Sequence, residues 1–277
     1  MSKILVAGAT GNVGRHVVYG LVKAGREVRA LTRDPERASL PAGVEVAYGD
    51  LSARDTVAAA LPDVEQVFLI WPGLAVQPDV IQEIADRAGR VVYLSTDVSD
   101  LADHEPPTSF HQEIERLIRQ SGLRWTFVRA IDFATNTLGW AGQIRQGVVR
   151  LPHGQASRSL IHERDIADVI VHALTRDGHD GAKYLITGPE SITQAELVAI
   201  IGEAIGRKLR WDELPVDAAR PLLIDAWGNP DFVEARLKAW ASFVETPERV
   251  TDTVERLLGR PALTFRAWAH EHADDFR

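Results

Sequence analysis

Residues 4–14 read Ile4-Leu5-Val6-Ala7-Gly8-Ala9-Thr10-Gly11-Asn12-Val13-Gly14, a short apolar run that breaks into three evenly spaced glycines and then opens an amphipathic segment. Such a run followed by Gly8, Gly11 and Gly14 marks a strand, a tight turn and a helix start. Glycine turns the chain sharply and lets main-chain N–H groups come close to a bound group, while the positive end of the helix favours a negative charge there. A diphosphate meets both conditions, so the stretch points to a dinucleotide cradled by Gly8, Thr10, Gly11, Asn12, Val13 and Gly14. Without a ligand the same pattern would be a plain strand-to-helix turn.

Working outward, further apolar runs fall at residues 27–31, 44–47, 67–70, 91–94 and 125–128, with amphipathic segments such as 13–24 and 112–121 between them. Continuous Val/Ile/Leu-rich runs suit strands covered on both faces, which predicts a doubly wound parallel sheet with right-handed helical crossovers. Ser109 and Gln112 have capping-box spacing, and Gly25 and Gly122 stand where helices should stop. Beyond residue 130 the rhythm becomes α+β: strands at 148–151, 159–162 and 184–187, and a helix at 165–175. Thr193 and Glu196 form a second capping box on a helix ending near Gly206, Thr246-Pro247-Glu248 reads as another helix start, and the tail is mostly helical. The expected organisation is a Rossmann domain over 1–150, with strand contributions from later residues allowed, and a smaller substrate-binding or lid region over 151–277.

The 277 residues carry a net charge of −8 with both signs interleaved. No cationic run is long enough to track a phosphate backbone, so nucleic acid is not an expected partner. No stretch approaches the length of a membrane span, and Met1-Ser2-Lys3 leads straight into a strand, which predicts a cytoplasmic protein with no membrane partner. The chain has no cysteine, which excludes disulfides, iron–sulfur clusters and thiol nucleophiles. Its nine histidines are scattered; His270 and His272 are two apart and cannot share a helix face, so no metal is expected.

The second strand runs into Thr32-Arg33-Asp34, where the adenosine ribose of a dinucleotide should lie. An acid would accept from the 2′-hydroxyl of NAD, whereas an arginine would pair with the 2′-phosphate of NADP. Arg33 comes first, and Asp34 before Pro35 can be a helix cap, so NADP(H) is preferred and NAD(H) stays open. Asp50 and Leu51, after the third strand, are candidates for the adenine side, with a turn as the bland reading of Asp50. Trp71 closes the fourth strand and could wall the nicotinamide.

With those residues in hand, the chain resembles the NmrA-like branch of the atypical short-chain dehydrogenases and reductases. The resemblance rests on the glycine loop, Arg33-Asp34-Pro35, Gly49-Asp50-Leu51, His111 with Ile114-Glu115, and Ser121-Gly122-Leu123-Arg124-Trp125-Thr126 running into Arg129 and Phe133. It continues through Ile161-His162, Asp165-Ile166-Ala167, Tyr184-Leu185-Ile186-Thr187-Gly188-Pro189 and Thr264-Phe265-Arg266-Ala267-Trp268. What it implies is the fold, a nicotinamide cofactor, and an activity that differs among members: quinone reductases, other small reductases, or regulators that bind the dinucleotide to sense redox state.

Typical short-chain dehydrogenases use a tyrosine four residues before a lysine as proton donor. The pair with that spacing here, Tyr19 and Lys23, lies on the first helix and reads as surface; His111 and Glu115 stand at the corresponding place. His111 could donate a proton with Glu115 raising its pKa, or the two could be an ordinary helical pair. Thr96, ending the fifth strand beside Ser95, could orient a carbonyl or cap a turn. Phe133, Asn136 and Trp140, after the sixth strand, are candidate substrate contacts, and seven tryptophans would suit a flat aromatic ligand if they were not simply core. The expected function is an NADPH-dependent oxidoreductase passing hydride to a small aromatic or conjugated carbonyl or quinone. The alternatives are a non-catalytic redox sensor and a helper reductase for aromatic polyketide hydroxylation. A homodimer is compatible with any of these.

Overall fold

The computed structural model describes residues 3–100 and 105–277, so the Met1-Ser2 lead-in lies outside the described residues. The six expected strands are β1 (Lys3–Ala7), β2 (Glu27–Thr32), β3 (Glu45–Tyr48), β4 (Val64–Ile70), β5 (Arg90–Thr96) and β6 (Arg124–Ala130). They pair in parallel in the order β3-β2-β1-β4-β5-β6, and Ala182–Ile186 adds a seventh strand beside β6. The order reverses between β1 and β4, the topological switch at which an open α/β sheet takes ligands.

Helices α1 (Gly14–Lys23), α2 (Arg54–Ala60), α3 (Pro78–Arg87) and α4 (Phe110–Gln120) alternate with these strands. Side chains alternate along a strand: Leu5 and Ala7 of β1 join Val67, Leu69, Val91 and Tyr93 in one core with Val57 of α2, Ile84 of α3 and Ile118 of α4. Ile4 and Val6 are equally buried but lie outside that cluster. Helix α1 packs on the helix Glu163–Thr175, and a Cβ on Gly20 would come within 2.8 Å of Val171. The predicted stops hold: Gly25 and Gly122 take φ of +70° and +82°, the left-handed conformation that ends helices.

Contacts divide the chain into two compact units. One comprises Met1–Ile131, Glu163–Ile186 and Thr253–Arg260; the other comprises Asp132–His162, Thr187–Asp252 and Pro261–Arg277. The first unit therefore ends at Ile131 rather than near residue 150, and it takes in the later strand that the sequence reading allowed together with the helix Glu163–Thr175. The second unit is α+β and mostly helical, with paired strands Val148–Leu151 and Arg210–Glu213 and a core that includes Leu197, Ile201, Val233, Leu237, Phe265 and Trp268. No helix among the described residues is long and apolar enough to cross a membrane.

Three local expectations change. Thr246-Pro247-Glu248 starts no helix: it follows the helix Pro230–Glu245, and Glu248 bonds to Ser157 and Ser159 instead. The strand expected at 159–162 is reduced to Ser157–Arg158 plus a bridge from Ile161 to Phe133. Asp34 caps nothing with its side chain, which lies 3.4 Å from Arg37 across the short turn Pro35–Arg37.

Candidate functional site

In the first unit a cavity of about 420 Å³ opens where β1 bends into α1. Gly8, Thr10, Gly11, Asn12, Val13 and Gly14 line it, joined by Arg33, Asp50 and Leu51 from the ends of β2 and β3. Gly8 has φ of +65°, and a Cβ there would meet Ile70 at 2.6 Å. A Cβ on Gly14 would lie 2.0 Å from the Gly8 carbonyl oxygen, so only glycine lets the helix start this close to the loop. No side chain caps α1 and its first turn holds no acid, which leaves the helix's positive end to a ligand. A cradle shaped by absent side chains and an uncapped helix start fit a diphosphate.

Arg33 is exposed at the rim of this cavity, and among the described residues no acceptor or ion-pair partner holds its guanidinium. Asp50 accepts from the Ser52 amide at 2.8 Å and its hydroxyl at 2.7 Å, both on Oδ1; these bonds lower its pKa and make a local turn. The bland reading of Asp50 is therefore realised, although the residue also faces the cavity. Trp71 is not among the lining residues. It is buried, and its Nε1 donates to the Leu74 carbonyl at 2.9 Å, a brace that places Pro72 and Leu74 in the wall.

The His111–Glu115 pair does not form. Glu115 is buried and takes two hydrogen bonds from Arg129, Nε to Oε1 at 3.0 Å and Nη2 to Oε2 at 2.6 Å, and a third from Ser95. Arg129 also reaches Asp100, which Lys183 holds at 2.8 Å; the Lys183 bond lowers the Asp100 pKa. His111 instead meets the Tyr93 hydroxyl through Nδ1 at 2.8 Å and lies against Phe110. Burial lowers the His111 pKa to about 4, so it stands neutral at pH 7. Burial, with the nearby Glu115 charge, pushes Tyr93 well above the usual phenol range. Thr96 donates its hydroxyl to the Ala130 carbonyl at 3.2 Å.

A second cavity, of about 200 Å³, lies wholly within the second unit. Of the three expected substrate contacts, Asn136 and Trp140 line it; Phe133 does not, its backbone being tied to Asp132 and Ile161. Trp227, Phe232 and Trp240 complete an aromatic wall around Asp132, Arg158 and Arg236. Arg158 and Arg236 both bond to Asp132. No group of three or more His, Asp or Glu side chains among the described residues is placed to hold a metal.

A family model described as the NmrA-like family matches residues 1–262. The chain belongs to the NmrA-like family. It is 42% identical, over 99% of both chains, to the (4-alkanoyl-5-oxo-2,5-dihydrofuran-3-yl)methyl phosphate reductase of Streptomyces griseus. It is 35% identical, again over 99% of each, to the NAD(P)H azoreductase of Xenophilus azovorans. Among solved structures, the NADPH-dependent quinone oxidoreductase of Escherichia coli complexed with NADPH superposes with a TM-score of 0.79 at 23% identity, covering 97% of this chain and 99% of that one.

In this NmrA-like chain the glycine loop, Arg33, Asp50 and Leu51 come together, as do Asn136 and Trp140. His111 and Thr96 are engaged elsewhere. Sequence reasoning missed Tyr93, Arg158 and Arg236. Tyr93 sits in the apolar run Val91-Val92-Tyr93-Leu94 of its strand, where it reads as core. Ser157-Arg158-Ser159 carries no spacing signal, whereas Arg236 stands four residues from both Phe232 and Trp240, a cation on the apolar face of its helix that could have been noticed.

Proposed function

We propose that this NmrA-like protein is an oxidoreductase that uses NADP(H), with NAD(H) as the weaker alternative, to reduce a small aromatic or conjugated carbonyl or quinone. The observation that carries the reading is the cavity at the β1–α1 bend with Arg33 at its rim, its guanidinium held by no hydrogen bond or ion pair among the described residues. A nicotinamide dinucleotide bound there supplies hydride. The main chain from Gly11 to Gly14 and the uncapped end of α1 hold its diphosphate, and Arg33 pairs with a 2′-phosphate. Leu51 and Asp50 border the adenosine side, while Trp71, by bracing Leu74, keeps an apolar wall of Pro72 and Leu74.

The relatives' names support the substrate class: an azo dye, a quinone and an acyl-substituted unsaturated lactone are all conjugated electron acceptors. Such acceptors delocalise the incoming charge and need orientation more than a strong acid. That suits a site where His111 is neutral and Thr96 has given its hydroxyl to a carbonyl. Of the remaining candidates, Asn136 and Trp140, which line the second unit's cavity, carry its substrate-binding role, while Phe133 stays outside that cavity.

One observation favours the sensing alternative: neither His111 nor Thr96 is set to hand a proton to an acceptor. Steady-state oxidation of NADPH with quinones, azo dyes and unsaturated lactones decides between them, since binding without turnover of any acceptor removes the enzyme reading. The cofactor assignment has its own test. Arg33→Ala should weaken NADPH binding by on the order of 1–3 kcal/mol while sparing NADH; equal losses for both cofactors in calorimetry would refute a 2′-phosphate partner.

A further inference from the structure

The cavity of the second unit is more elaborate than an aromatic slot requires. Asp132, 4% exposed, accepts from Arg158, from Arg236 Nη1 at 2.9 Å, from the Phe133 amide and from the Asn136 side chain, so its oxygens are saturated. Glu248 lies 3.9 Å from Arg158 Nε, and its carboxylate accepts from the amide and hydroxyl of Ser159. Two guanidiniums therefore share one fully committed carboxylate in the cavity wall.

What is left over is all of one kind. Arg158, 5% exposed, has a buried Nε with no hydrogen-bond acceptor, and Trp240, 4% exposed, has a buried Nε1 with none. Arg236 Nε and Nη2 make no hydrogen bond among the described residues. Every unsatisfied side-chain atom buried in this wall is a donor, and none is an acceptor. The Arg158 and Trp240 atoms are closed off from the cavity, so the edge open to a ligand is that of Arg236, and the partner it calls for is a group rich in acceptor oxygens. Arginine's planar fork is suited to phosphate, and the surrounding indole and phenyl faces suit a flat ring attached to it.

We propose that this cavity binds the phosphate monoester of the substrate, with a small conjugated ring against Trp140, Trp227 and Phe232, so that the protein reduces phosphorylated acceptors. Arg158 offers no free edge, being held by Asp132 and Gln194 with Glu248 at 3.9 Å from its Nε; it lies 5.8 Å from the Trp240 ring centroid and fixes the Asp132 carboxylate to which Arg236 is tied. Arg236, with a quarter of its side chain exposed, presents the unengaged N–H groups. The proposal rests on the reductase reading for what happens after binding, but the anchor itself is measurable without turnover.

The test is calorimetry on the full-length chain with phenyl phosphate, benzoate and benzyl alcohol, comparing wild type with Arg236→Gln and Arg33→Ala. Phenyl phosphate should bind at least tenfold more tightly than benzyl alcohol, should lose at least tenfold in Arg236→Gln, and should be unaffected by Arg33→Ala. Equal binding of phenyl phosphate and benzyl alcohol, or no loss in Arg236→Gln, overturns the anchor. Benzoate matching phenyl phosphate overturns the phosphate assignment. Trp227→Leu, at a residue 41% exposed, is the second variant should Arg236→Gln fail to fold, and should weaken phenyl phosphate several-fold; unchanged affinity counts against the proposal. NADPH titration of the same samples separates the two readings: loss of NADPH binding in wild type sinks the reductase and leaves the phenyl phosphate result standing.

Discussion

At His111 an ordinary imidazole pKa and a carboxylate one turn on, both readable from sequence, give way to burial. The ring is held neutral against Tyr93 and Phe110 with its pKa lowered to about 4, whereas an unfolded chain protonates it near 6.5. Between those values the unfolded state binds more protons, so the stability due to this residue is complete above pH 6.5 and is lost as pH falls toward 4. The loss amounts to about 3 kcal/mol at most. Urea titrations of wild type and His111→Asn from pH 7 to pH 4 should give a shallower decline for the variant; parallel curves would show that His111 is not a buried neutral group. The glycines of the loop were legible because their spacing is local. The Glu115 partner was not, since Arg129 reaches it from β6, fourteen residues away.

Helix α4 shows the same division at the scale of an element. Its start was readable: Ser109 accepts from the Gln112 amide as its spacing foretold, and Thr193 with Glu196 forms a complete capping box further on. Caps are contacts within four residues, so their grammar survives in the sequence. Thr246-Pro247-Glu248 obeys the same grammar and fails, because Glu248 is recruited by Ser157 and Ser159, about ninety residues earlier. What locks α4 to the sheet is likewise non-local: Glu115, 1% exposed, meets Arg129 of β6 and Ser95 of β5. Glu115→Gln removes the charge opposite a buried guanidinium and should destabilise the fold by about 2–4 kcal/mol in urea. Thr193→Ala, which removes only an exposed cap, should cost about 1 kcal/mol. Equal costs for the two would mean that the Arg129 contact contributes no more than a surface cap.

For the whole molecule, the doubly wound parallel sheet and the family were legible, but the strand order and the place where the first unit ends were not. The chain passes between its two units after Ile131, His162, Ile186, Asp252 and Arg260, so neither unit is one continuous segment. A fragment of residues 1–150 would keep the glycine loop and six strands. It would lose the helix Glu163–Thr175, leaving Gly20 of α1 without Val171, and the strand Ala182–Ile186, leaving β6 as a bare edge. It would also lose the His179 carbonyl that takes the buried Thr126 hydroxyl at 2.8 Å. Each loss falls on apolar surface or buried polar groups that the fragment has no means to cover. The fragment should therefore lack a cooperative thermal transition and bind no NADPH, although every cradle residue is present, while the full chain unfolds cooperatively. Circular dichroism and calorimetry on both chains check this. A fragment that melts sharply and takes up NADPH would mean that the sheet does not need its later strand and helix, and that residue 150 is a real boundary after all.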